Sequence, residues 1–269
     1  MVLKSDGRLQ FIPNGYAGKQ VFANFRLQNL FMKKILVLLV VTMVAISSCR
    51  MGKRVKGNGD IQTETRTVGS TNRIKLSGSY DVEITQGPVA AVKVEADANI
   101  LPYVITEERD GYLVVRSRDN VNISTENNIK VFVTTAKLEA VMLSGSGNII
   151  GTNKFTGSDK MTLKISGSGD IKMELNSPDI RADITGSGTI TLKGETKDED
   201  IHITGAGDFN AGELKAENAK VRIAGSGDVK VFADHELDIN IAGMGSVFYK
   251  GNAAVKQRIA GSGEIKKIN

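Results

Sequence analysis

Tryptophan is absent from this sequence, histidine occurs twice and cysteine once. Aromatic residues make up only 5%, so the stacking platforms that sugar-cleaving sites usually carry are scarce, and Phe248-Tyr249 is the only adjacent aromatic pair. His202 and His235 lie too far apart along the chain to suggest an acid–base or metal cluster, and both are expected at the surface. A basic footprint is missing too, although the formal net charge is +5. Residues 1–48 hold Lys4, Arg8, Lys19, Arg26, Lys33 and Lys34 against Asp6 alone. Without those seven residues, the 35 basic and 30 acidic residues fall to 29 of each. A neutral remainder excludes the charge pattern of a nucleic-acid binder. Long apolar runs are lacking as well. The run Ile35–Ile46 spans roughly 18 Å as a helix, against ~30 Å of hydrocarbon, which excludes a stable transmembrane helix.

That short run has another use. Met32-Lys33-Lys34 supplies a charged start, the apolar stretch follows, and Ser47-Ser48 precede the single cysteine, Cys49. This order predicts a signal peptide over 32–48. Ile46-Ser47-Ser48-Cys49 resembles a bacterial lipobox, which implies that Cys49 is acylated, palmitate included, and joins the protein to a membrane. Each buried CH2 contributes about 0.8 kcal/mol to such an anchor. A signal begins at the N-terminus, so Met32 is the expected start and residues 1–31 a non-native upstream extension. Residues 49–60 are basic and glycine-rich and are expected to form a flexible tether.

A repeat dominates the rest. It occurs as Leu143-Ser-Gly-Ser-Gly-Asn-Ile149, Ile165-Ser-Gly-Ser-Gly-Asp-Ile171 and Ile184-Thr-Gly-Ser-Gly-Thr-Ile190. These three copies carry Gly145 and Gly147, Gly167 and Gly169, and Gly186 and Gly188. It continues with Gly205 and Gly207, Gly225 and Gly227, Gly243 and Gly245, and Gly261 and Gly263, and Leu76-Ser-Gly-Ser-Tyr-Asp-Val82 is a looser eighth copy. Two residues before each first glycine and four after it, all sixteen positions are apolar. Alternation of this kind marks strands with one buried face. The near-constant spacing favours coils stacked on one another over hairpins, whose repeat length is free. The glycines are expected at the corners, where they allow positive φ or close packing on the coil below. The expected fold is all-β: a right-handed parallel β-helix with about 18–22 residues per coil. An antiparallel β-prism or sandwich is the alternative. Regular coils are expected over 141–269 and wider ones, with longer connections, over 61–140, the two forming one continuous domain.

Three residues after each first glycine stand Asp81, Asn148, Asp170, Thr189, Asp208, Asp228, Ser246 and Glu264. Stacking brings neighbours in this column to ~4.8 Å. Asp208 over Asp228 is the one like-charged pair, a weak candidate cation site that competes with a reading as solvated, turn-capping carboxylates. Calcium-binding nonapeptide repeats need a second aspartate turn in every coil, which is missing. The dinucleotide signature needs a following helix and a third glycine, also missing. No cofactor is expected. Carboxylate catalysis on glycans needs a convergent acid and base. Asp198-Glu199-Asp200, the densest acidic run, is expected to be a solvated loop, so no catalytic residue is assigned.

These glycine repeats, behind a strand-rich opening and a lipoprotein signal, resemble the putative auto-transporter adhesin, head GIN domain family, common in Bacteroidota. The resemblance covers roughly residues 70–250 and implies a β-helical protein of the cell envelope with an adhesin-like role. The expectation is therefore a non-catalytic, lipid-anchored binding module for a glycan or an envelope protein at the outer membrane, facing either the periplasm or the exterior. The alternatives are a periplasmic structural or stress-related scaffold with a protein partner and, third, a glycan-active lyase or hydrolase.

Overall fold

The computed structural model describes residues 52–69 and 72–269, and Gly52–Asn269 forms one compact unit. The signal peptide, Cys49 and the upstream extension lie outside the described residues. In chain order the strands are β1 (Lys53–Lys56), β2 (Ile61–Arg66), β3 (Arg73–Gly78), β4 (Asp81–Gln86), β5 (Ala91–Asp97), β6 (Val104–Arg109) and β7 (Tyr112–Ser117). Next come β8 (Val121–Ser124), β9 (Lys130–Thr135), β10 (Ala140–Gly145), β11 (Asn148–Phe155), β12 (Lys160–Gly167), β13 (Asp170–Asn176) and β14 (Asp179–Gly186). The chain closes with β15 (Thr189–Gly205), β16 (Asp208–Gly225), β17 (Val229–Gly243), β18 (Ser246–Lys250), β19 (Ala254–Gly261) and β20 (Glu264–Lys267).

From β10 onward the chain winds a solenoid of about 7 turns in stacked parallel coils. Each coil is a leading strand, a Gly-x-Gly bend, a trailing strand and a return bend. Leading strands pair in parallel through β3, β10, β12 and β14 and the second halves of β15, β16 and β17, to β19. Trailing strands pair likewise through β4, β11 and β13 and the first halves of β15 to β17, to β18 and β20. The repeat glycines stay in register along the whole stack, Gly78 on Gly145, Gly145 on Gly167, and so on to Gly243 on Gly261. The parallel expectation therefore stands for the repeats, and the antiparallel alternative does not.

The bend explains its own sequence, and its two glycines answer different needs. Gly167, a first glycine, has φ +138°, a conformation that costs an L-residue dearly, and a Cβ there would also collide with the Gly145 carbonyl oxygen. Of the two roles expected of the glycines, the second ones, Gly147, Gly169, Gly188, Gly207, Gly227, Gly245 and Gly263, fill that of close packing and not that of a positive φ. None of these seven has one, so their backbones would admit another residue. Closeness alone demands glycine there. A Cβ on Gly169, Gly188, Gly227, Gly245 or Gly263 would collide with the carbonyl oxygen of the second glycine one coil earlier. One on Gly207 would meet both Gly188 O and the Ile184 side chain, and one on Gly147 the Tyr80 carbonyl oxygen. The residue between the glycines contributes only its backbone: Ser168 N–H donates to Gly145 O (3.0 Å), Ala206 N–H to Gly186 O (2.9 Å) and Met244 N–H to Gly225 O (2.8 Å). Its side chain is accordingly free to vary.

Of the sixteen apolar positions flanking the bends, fourteen are at most 2% exposed and line one dry interior. The exceptions, Ile259 and Ile265, belong to the coil β19–β20, which is paired on one side only. At the return bend a second column appears, of buried hydroxyls. Ser177 Oγ donates to Ser158 O (2.9 Å), Thr196 Oγ1 donates to Pro178 O (3.2 Å), and Ser158 Oγ donates to Leu138 O.

Residues 61–140 depart from simple winding. After the coil β3–β4 the chain leaves the stack and β5 runs antiparallel to β9, with β2 antiparallel to β5 and β6 to β7. Strands β7 and β9 meanwhile pair in parallel with β3 and β4, on the side away from β10 and β11. The coil β3–β4 thus lies between a coil made after it and the start of the regular stack, which accounts for the spacing of 67 from Gly78 to Gly145. Tyr80 replaces the second glycine in this copy because residues 118–129 replace the tight bend beneath it. Its ring is 4% exposed and its hydroxyl bonds to Ser117, burial pushing its pKa up. Part of the expected tether is also paired: β1 lies parallel to β8, and Gly59 N–H donates to Asp97 Oδ1 (2.5 Å).

Candidate binding faces

Outward residues of the leading strands carry both signs of charge, and one column, Arg181, Asp200, Lys220, Asp238 and Lys256, alternates coil by coil. Lys160 and Lys164 occupy one coil, Asp179, Arg181 and Asp183 the next, then Asp198, Asp200 and His202, then Lys220 and Arg222, then Glu236 and Asp238, then Lys256 and Arg258. Opposite charges at coil spacing attract, and several are bonded across coils: Lys160 to Asp179 (3.3 Å), Arg222 to Asp200 (2.7 Å) and Lys256 to Glu236 (2.7 Å). Arg181 adds a bond to Asp183 within its own coil (3.0 Å). Each exposed pair contributes little, but a run of them penalises a slip by one coil.

His202 sits inside this lattice. Arg222 donates to His202 Nε2 (2.7 Å), while His202 Nδ1 lies 3.7 Å from both Asp183 and Asp200 without a hydrogen bond. His235 is separate and exposed, with Nδ1 3.1 Å from Asn218 Oδ1. The structure brings the two histidines into no common site.

The acidic run Asp198-Glu199-Asp200 is corrected by the structure. It lies within β15, not in a loop, and strand alternation sends only Asp198 and Asp200 outward. Glu199 points into the interior in register with Ile180 and Ala219; it is 3% exposed and neither carboxylate oxygen has a partner. Burial without a donor holds its pKa well above the usual carboxylate range. Counting six residues back from Gly167, Gly186, Gly205, Gly225, Gly243 and Gly261 gives Met161, Ile180, Glu199, Ala219, Leu237 and Val255, so phase within these six copies sets Glu199 apart.

Asp208 and Asp228 cap backbone. Asp208 Oδ1 accepts from Asp228 N–H (3.0 Å) and Asp228 Oδ1 from Ser246 N–H (3.0 Å), as Asp170 Oδ1 does from Thr189 N–H (3.1 Å). Among the described residues no group of three or more His, Cys, Asp or Glu is placed to hold a metal ion. Asp170, Asp208 and Asp228 thus each direct a bend's charge onto the next coil's amide.

In the antiparallel region the buried carboxylate is Asp97. It accepts from the Thr125 hydroxyl, Gly59 N–H and Asn127 Nδ2, and the Thr125 bond above all holds its pKa below the usual range.

The likenesses to known proteins agree with this architecture. Residues 71–253 match the family model described as "Putative auto-transporter adhesin, head GIN domain". A putative adhesin from Bacteroides fragilis superposes with a TM-score of 0.76 at 22% identity, over 80% of this chain and 100% of its own. A putative lipid binding protein from Parabacteroides distasonis gives 0.67 at 26% identity, over 81% and 100%. A putative adhesin from the same species gives 0.61 at 29%, over 80% and 100%. No curated protein matches the sequence.

Proposed function

Because this chain belongs to the putative auto-transporter adhesin, head GIN domain family, we propose that it is a non-catalytic, adhesin-like binding module held at the outer membrane by lipid on Cys49. The observation that carries the reading is the layout of its outward side chains. They stand on hydrogen-bonded faces at coil pitch, and Asp179, Asp183, Asp200 and Glu236 of the leading face are each bonded to a base instead of converging as an acid–base pair. A stiff slab of this kind suits a broad partner, a glycan or an envelope protein. The neighbouring structures called adhesins and lipid binding protein lend it support.

Anchoring is tested by growing cells with labelled palmitate. Label should enter the native chain and vanish in Cys49→Ala, and an unlabelled native chain would refute the anchor. Binding is tested on glycan arrays and by crosslinking in intact envelopes; reducing-sugar release from any bound glycan would overturn the non-catalytic reading. A second reading, a periplasmic scaffold, draws on Arg50, Lys53 and Arg54 behind the cysteine, since acidic residues there often accompany surface export in these bacteria. Protease added to intact cells separates the two: cleavage supports outward display, and protection supports the scaffold.

A further inference from the structure

The trailing face departs from the charge alternation of the leading face over its last coils. Lys215, Phe232 and Lys250 stand in register as one outward column, and Lys230, Phe248 and Lys266 as the next. Each phenyl ring therefore has a lysine above and below it at ~4.8 Å coil spacing, and neighbouring columns stand ~6.6 Å apart along the strand. Within these three coils neither column holds an acid, and one coil before Lys215 the first column meets Glu195. None of the four lysines makes an ion pair among the described residues. The nearest bend acids are turned elsewhere, Asp228 to Ser246 N–H and Asp234 to Asn252 N–H. Lys230, Lys250 and Lys266 thus have no acid in register with them, the opposite of what the bases of the leading face show. Toward earlier coils the second column continues as Asn210, Thr191 and Lys172, which supply hydrogen-bonding groups.

Resting on the binding-module reading, we propose that this strip is the module's contact surface for an acidic polysaccharide, with carboxylate or sulfate groups on the lysines and sugar faces against Phe232 and Phe248. A linear polymer can run along the columns, taking up charges that alternate with flat apolar rings. Both rings are half-buried, each flanked by the lysines of its own column. Insertion into a bilayer needs a projecting apolar face, so the polymer is the better fit.

The test uses the whole protein with immobilised alginate and dextran sulfate, neutral dextran, and phosphatidylglycerol vesicles as probes. The acidic polymers should bind and dextran should not, and binding should weaken with salt as exposed charges are screened. Lys230→Gln with Lys250→Gln should weaken it roughly tenfold or more and flatten the salt dependence. Phe248→Ala should weaken it without changing the salt dependence; where that variant melts early, Phe248→Leu replaces it. Lys164→Gln on the leading face should bind as the native chain does. Equal losses in Lys164→Gln and the strip variants, or binding to vesicles alone, would overturn the proposal. Binding of a glycan or envelope protein that ignores the strip variants overturns the strip and spares the module. Failure to bind any glycan or envelope protein sinks both.

Discussion

The antiparallel region and the regular coils each bury a carboxylate, and they treat it in opposite ways. Asp97 is surrounded by a hydroxyl, an amide and a backbone N–H from two segments, whereas Glu199 occupies a slot in an aliphatic column with no donor. The first region is stabilised by particular contacts, each made once. The second is stabilised by repetition, so a residue that breaks the column finds no local accommodation. Sequence periodicity consequently predicts the second region well and the first poorly.

The sharpest way to break the comparison uses two glycines of positive φ. Gly205 (φ +121°) faces the Gly186 carbonyl, whereas nothing lies within 4 Å of a Cβ on Gly59 (φ +80°). Gly59→Ala should cost about 1–2 kcal/mol from backbone strain alone. Gly205→Ala should cost more than about 4 kcal/mol, because two coils must separate. Urea denaturation of the two variants checks this, and equal losses would deny the stacking contact. Next in size, Asp97→Ala should destabilise by about 3 kcal/mol, since it strands the buried donors.

Glu199→Leu should instead stabilise the protein by about 2 kcal/mol at neutral pH, the neighbouring Ala219 leaving room for the branch. The pH dependences run in opposite directions. Asp97 has a lowered folded pKa, so its contribution is present above about pH 4 and is lost as pH falls through the folded value. Glu199 has a raised folded pKa, so its contribution is complete below about pH 4 and is lost as pH rises through the folded value. Stability measured from pH 4 to 8 should therefore lose its alkaline decline in Glu199→Gln. The smallest effect belongs to the leading-face lattice: Asp200→Asn, which removes the negative charge facing Arg222, should cost about 0.2–1 kcal/mol and less at high salt.

Much of the solenoid was legible because a stacked coil writes its geometry into the sequence once per turn. Ile165, Ile184, Ile203 and Ile223 share one phase, and the glycines mark where backbones touch. Which glycine of a pair turns the chain and which only makes room was not legible, because both needs select the same residue. The hydroxyl column Ser158, Ser177 and Thr196 was hidden as well, because serine and threonine read equally well as surface residues. Glu199 was masked by its acidic neighbours, which are outward only because strand alternation sends them there. The antiparallel ladders left no period to find, and the trailing-face lysines become a strip only once the register sets them beside Phe232 and Phe248.

The matching bends carry one more implication. Joining Gly186 directly to Ala206 would remove residues 187–205, one whole rung, and set Gly186 against Gly225 with every inward side chain still facing a partner of its own kind. The shortened protein should fold cooperatively and be lower by a single pitch of ~4.8 Å. A molecule assembled in this way has a length that changes only in whole steps, so lineages can adjust its reach by losing or copying rungs without redesigning either end.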